Sequence, residues 1–157
     1  MKNKALASLI AVIAAVAVYL NDQGFLNLDL PSNGADQRVV ETQAADAGTA
    51  AIAAAYRAQR SDVQVEGRGI VKKVLRDDND GSRHQRFLLR LDNKQTLLVA
   101  HNIDLAPRID DLREGDEVRF FGEYEWNNQG GVLHWTHRDP RHRHVDGWLQ
   151  HAGRTYQ

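Results

Sequence analysis

The stretch Glu117-Val118-Arg119-Phe120-Phe121-Gly122-Glu123-Tyr124-Glu125-Trp126 sets the fold class. Successive side chains of an extended chain point to opposite faces. Val118, Phe120, Gly122, Tyr124 and Trp126 therefore share one face, and Arg119, Phe121, Glu123 and Glu125 share the other. That alternation is the signature of a half-buried strand, whereas a helix would scatter both sets around its axis. Glu114-Gly115-Asp116 in front and Asn127 to Gly131 behind are turn-forming, so the strand is bounded at both ends. Phe121 is the one large apolar residue out of phase with the core side.

Similar strand patterns lie on both sides of this stretch. Val63 to Leu75 is rich in β-branched residues, and Gly67 and Gly69 predict a bend or bulge in it. Asp77 to Ser82 is a polar turn, lacking the full ligand ladder of a calcium loop. Gln85 to Leu91 alternates, with Phe87, Leu89 and Leu91 opposite Arg86, Leu88 and Arg90. Asp92-Asn93-Lys94 turns the chain into Thr96 to His101. Asp104 to Leu112, interrupted by Pro107, fits a short helix or turn. Val132 to Thr136 is a fifth strand, and Trp148 to Tyr156 around Ala152-Gly153 suggests a small extra hairpin. The expected fold is mainly β: a small five-stranded OB-like barrel with a short helix between strands 3 and 4. A long, glycine-bent first strand suits a barrel, because it must curl to serve both halves. A sandwich is the alternative.

The barrel domain is expected over residues 62–157. Residues 1–61 hold 16 Ala and residues 62–157 only three, which marks a change of character. Residues 1–20 read as a signal peptide or an N-terminal membrane anchor: Lys2 and Lys4 precede the uncharged run Ala5 to Leu20. As a helix that run would be about 24 Å long, short for a crossing. Residues 21–61 read as an Ala-rich linker or helix, with high helix propensity but few large apolar side chains at helical spacing. The domain is therefore expected to be exported, periplasmic or extracellular, and tied to the inner membrane if residues 1–20 are retained.

Composition excludes several classes. There is no Cys, so disulfide scaffolds, thiolate metal sites and cysteine nucleophiles are out. Lys+Arg 20 against Asp+Glu 21 excludes a strongly basic nucleic-acid coat and an acidic tail protein. No G-x-S-x-G, phosphate-binding glycine loop or dinucleotide fingerprint occurs, and Ser82 is the only Ser in residues 62–157. That same region carries all seven His, all three Trp and 12 of the 15 Arg.

Four motifs in order carry a family resemblance: His84-Gln85-Arg86-Phe87, His101-Asn102-Ile103-Asp104-Leu105-Ala106-Pro107-Arg108, Gly122-Glu123-Tyr124-Glu125-Trp126-Asn127, and His134-Trp135-Thr136-His137 followed by Asp139-Pro140. Over roughly Val65 to Gln157 the chain resembles a bacterial exported family of unknown function with an OB-like barrel. The resemblance implies the fold and transfers no activity and no catalytic residue.

The chemistry-bearing residues are His, Arg and Glu. Arg86 and Arg108 offer planar forks suited to phosphate, with surface pairing to carboxylates as the competing role. His84 borders a strand start and Phe121 could stack a base. His101, Glu123 and His134 are the candidate catalytic residues, one activating water while Arg stabilises phosphate charge. Glu123, Glu125, His137, Asp139 and His144 are the candidate ligands of a divalent metal ion. On an extended strand His134 and Thr136 would share a face and His137 would point away; His142 and His144 would share a face if their segment is extended. The function expected from this inventory is binding, and cleavage, of DNA or RNA. The alternatives are a non-enzymatic envelope module that binds a protein or glycan, and a His-rich metal-binding domain using His134, His137, Asp139, His142 and His144.

Overall fold

A computed structural model describes residues 47–157. The expected signal or anchor, residues 1–20, and the first part of the linker lie outside the described residues. Among the described residues, no helix is long and apolar enough to cross a membrane.

Among the described residues, seven strands follow one helix. α1 covers residues 47–57. The strands are β1 (Val63–Val74), β2 (His84–Arg90), β3 (Thr96–Asn102), β4 (Glu117–Glu125), β5 (Val132–His134), β6 (Trp148–His151) and β7 (Arg154–Tyr156). The sheet order is β1-β2-β3-β5-β4-β6-β7, and an additional β1–β4 pairing closes β1-β2-β3-β5-β4 into a five-stranded barrel. All barrel pairings are antiparallel except β3–β5, which is parallel. Closure excludes the sandwich. β6 and β7 form a hairpin that extends the sheet from β4; positive φ at Ala152 (48°) and Gly153 (76°) makes its two-residue turn.

β1 serves both halves of the barrel. Its Val63–Ile70 portion pairs with β4, and Ile70–Val74 pairs with β2 across a register shift between Val71 and Lys73. Its inward positions are small where the barrel is tightest. A Cβ on Gly67 would meet the Phe120 ring at 2.8 Å, so the missing side chain is the space Phe120 fills. Phe87, Leu89, Leu97, Val99, Val118, Phe120, Tyr124 and Leu133 are buried inside, as the alternation requires.

α1 contributes to this core. Ile52 is fully buried and Ala55 nearly so, within the same apolar cluster as the barrel residues. The helix ends in a Schellman motif: Arg60 N–H donates to the Ala55 carbonyl, Gln59 N–H to that of Tyr56, and Gln59 takes φ 50°.

The short helix expected between strands 3 and 4 does not form. One helical-type bond, Ala106 N–H to the Asn102 carbonyl at 3.1 Å, starts a turn that goes no further. Pro107 disfavours the α conformation at Ala106 and has no N–H. Gln85, buried in β2, then takes over both backbone groups of Ile109: its Nε2 donates to the Ile109 carbonyl at 2.8 Å and its Oε1 accepts from the Ile109 N–H at 2.9 Å. The connection is thus anchored to the barrel wall by a side chain rather than wound into a helix.

A candidate metal centre and its adjoining cleft

The outward side chains of β4 include Phe121, Glu123 and Glu125. The β4–β5 register sets Glu123 opposite His134. His134 Nε2 lies 3.3 Å from Glu123 Oε1 and 3.5 Å from Glu125 Oε1. One ligand atom from each of the three residues falls within 4.8 Å of the others, the spacing a single cation needs. His134 Nε2 is buried and makes no well-formed hydrogen bond. A nitrogen withdrawn from water and aimed at two carboxylates carries an unmet polar demand, which a cation shared with those carboxylates would meet.

The second oxygen of Glu123 is held by His144. His144 Nε2 is 2.7 Å from Glu123 Oε2, and Nδ1 donates to the Val145 carbonyl at 2.8 Å. Both ring nitrogens face acceptors, so the arrangement calls for the imidazolium. Burial of the ring opposes that charge; the hydrogen bonds to Glu123 and Val145 outweigh it and raise the His144 pKa above its ordinary value. The ring also stacks flat on Trp135, with centroids 4.1 Å apart and planes 6° apart.

Asp139 folds the loop that delivers His144. Its carboxylate accepts the backbone N–H groups of Arg141 (2.9 Å), Arg143 (2.7 Å) and His144 (2.9 Å), while its own N–H donates to Asp146. The Arg141 and Arg143 bonds come first among the causes that lower its pKa, against a smaller opposing effect of burial. The loop returns at Gly147, where a Cβ would meet the carbonyl oxygens of Trp135 (1.9 Å) and Phe121 (2.6 Å). Only glycine lets the chain lie that close. Next to this return, Phe121 stacks on Trp148 at 6.3 Å on the outer wall.

A cleft of about 300 Å³ opens beside the three-ligand cluster, lined by His84, Ala100, Asn102, Leu105, His134, Trp135 and His137. His134 belongs to both. The expected division of His134 and His137 between opposite faces does not hold. β5 ends at His134, and Trp135 takes φ 50°, which breaks the two-residue period and turns His137 onto the same cleft. Thr136 is turned inward instead. His142 and His144 are not on an extended segment either: His142 has φ 51° and is exposed.

The other sequence candidates lie elsewhere. His101 is fully buried in the barrel wall, with Nδ1 2.8 Å from the Thr136 hydroxyl and Nε2 3.1 Å from the Pro107 carbonyl. A carbonyl can only accept, so Nε2 carries the proton and Nδ1 accepts from Thr136. Burial lowers the His101 pKa to about 4, with the Pro107 bond offsetting part of the effect. Arg86 donates to the Arg76 carbonyl at 3.2 Å and lies 3.6 Å from Asp78. Arg108 is paired with Asp77 (3.0 Å) and Asp110 (3.1 Å). Thus Glu123, Glu125, His134 and His144 come together, His84 and His137 line the adjoining cleft, Phe121 flanks Glu123 along β4, and His101, Arg86, Arg108 and Asp139 serve other contacts.

Sequence reasoning missed Gln85 as an anchor, and Trp135, Asn102 and Leu105 as lining. For Gln85 a signal was present: it shares parity with Phe87 and Leu89, which places a polar side chain inside. For Trp135 nothing marked the positive φ.

No curated protein matches this chain. A family model matches residues 37–157, which takes in the helix as well as the barrel, and its description is "Protein of unknown function (DUF3465)". The chain belongs to that family.

Proposed function

We infer that this barrel, OB-like in its strand order, is an exported divalent-metal-dependent phosphodiesterase acting on DNA or RNA. The observation that carries the reading is the convergence of Glu123, Glu125 and His134 on one small volume of the outer wall. Two carboxylates and one imidazole suit Mn²⁺, Zn²⁺ or a similar ion, and three protein ligands leave positions for water and a phosphate oxygen. Such an ion supplies a nucleophile at neutral pH and charge to meet the phosphate. His144 fixes the free oxygen of Glu123, as outer partners of metal ligands commonly do. The Phe121–Trp148 pair beside Glu123 offers a surface on which bases could stack. Export rests on residues 1–20 alone.

A second reading, a metal-binding module without hydrolysis, is favoured by one observation: Arg83, Arg86 and Arg108 each have a carboxylate partner, so these forks are occupied. One experiment separates the readings. The metal-free protein is titrated with Mn²⁺ and Zn²⁺ in a calorimeter, then incubated with single-stranded DNA and RNA, with and without EDTA. Saturable one-to-one binding and EDTA-sensitive cleavage support the phosphodiesterase. Binding without cleavage supports the module, and no binding removes both.

A further inference from the structure

We propose that the cleft beside the three-ligand cluster seats the phosphate ester, and that His137 Nε2 is the base that takes the proton of the attacking water. The proposal rests on the metal-dependent reading above and adds its substrate seat and its base.

Position is the first argument. The cleft and the cluster share His134, so a group in the cleft lies against a residue whose Nε2 faces both carboxylates. Chemistry is the second. The lining holds three imidazoles, an amide, an indole and two apolar side chains, but no Lys or Arg. An anion there needs its charge met from next door, which the cation would do, while His84 and Asn102 supply donors. At about 300 Å³ the cleft has room for a phosphate with one sugar or base, which suits a single-stranded or short-chain phosphodiester.

His137 is built for proton transfer. Its residue is 4% exposed, and its Nδ1 donates to the Arg138 carbonyl at 2.8 Å, which fixes the tautomer and leaves the lone pair on Nε2. Nε2 has no hydrogen-bond partner among the described residues, and the side chain lines the cleft. The backbone is pinned as well, since the His137 carbonyl accepts from the Gly147 N–H at 2.9 Å. In the step, the water oxygen forms a bond to phosphorus and its proton passes to Nε2. The phosphorus–oxygen bond to the leaving group breaks, and the departing alkoxide takes a proton from solvent. The products are a phosphomonoester and an alcohol, and His137 returns its proton to solvent.

The test uses the full chain loaded with Mn²⁺, with bis(p-nitrophenyl) phosphate and a labelled single-stranded oligonucleotide as substrates. His137→Ala should lower kcat about 100-fold or more, leave Mn²⁺ affinity unchanged, and recover part of kcat with added imidazole. Leu105→Trp narrows the cleft from a residue that is 45% exposed, so it leaves the core intact. It should raise KM by about fivefold or more with the same metal affinity. A wild type that hydrolyses while both variants keep kcat and KM overturns this proposal and leaves the metal reading standing. A wild type that hydrolyses neither substrate with Mn²⁺, Zn²⁺ or Mg²⁺ overturns both.

Discussion

Acidification should destabilise this barrel through one residue, His101, before its carboxylates respond. Burial is the first cause that lowers the His101 pKa from 6.5 to about 4. The unfolded chain therefore binds a proton near pH 6.5 that the folded chain refuses until about pH 4. Stability from this residue is complete above the unfolded value and is lost as pH falls through that window. Each pKa unit corresponds to about 1.4 kcal/mol, so the loss is about 3 kcal/mol. Asp104, Asp116 and Asp139 have lowered pKa values, so their contributions begin to fade as pH falls through the ordinary carboxylate range, after most of the His101 window is passed. The raised pKa of His144 acts above 6.5, where its contribution is lost with rising pH. The assay is urea unfolding followed by Trp fluorescence at intervals from pH 7 to 4, on wild type and His101→Gln. At a slope of about 1.5 kcal/mol per molar urea, the wild-type midpoint should fall by about 2 M more than that of the variant. Equal losses in the two proteins would refute a neutral, buried His101 as the acid-sensitive element.

Three other outcomes follow from the same geometry. Glu125→Gln removes a charge from the three-ligand cluster without changing its shape, and calorimetry should show metal affinity falling about 10-fold or more with little change in melting temperature. Gln85→Leu fits the same space but strands the buried N–H and C=O of Ile109, and denaturant titration should show a loss of about 2–5 kcal/mol. Ile52→Ala opens a cavity where α1 meets the core and should cost about 2–5 kcal/mol, whereas truncating the exposed Arg57 should change stability by less than about 0.5 kcal/mol.

The barrel was legible because its strands carry strict two-residue alternation and their turns carry Gly, Asn and Asp. Parity alone also places His101 inside, since it shares a face with Leu97 and Val99; chemical inventory obscured that signal. At Asp104 to Leu112 the turn alternative holds and the helix does not, because what shapes the segment, Gln85, lies on another strand. The site was half legible. Glu123 and Glu125 were on one face by spacing, and their approach to His134 follows from β4 pairing with β5. The turn of His137 onto the same cleft was not readable, because it depends on a positive φ at Trp135, a residue type with no preference for that conformation. The grip of His144 on Glu123 depends on a loop folded by Asp139, a contact that spacing does not reveal.

The double use of β1 dictates an order of assembly. β2 and β3 join through a short turn and can pair locally, whereas Val63 must find Tyr124 across most of the barrel's length. Long-range pairing of this kind is slow, since the intervening chain loses its freedom before the contact is rewarded. Sealing of the β1–β4 seam is therefore the late event, after the β2–β3 hairpin exists. Until then Phe120 has no Gly67 to lie against, and the apolar interior stays open to other chains.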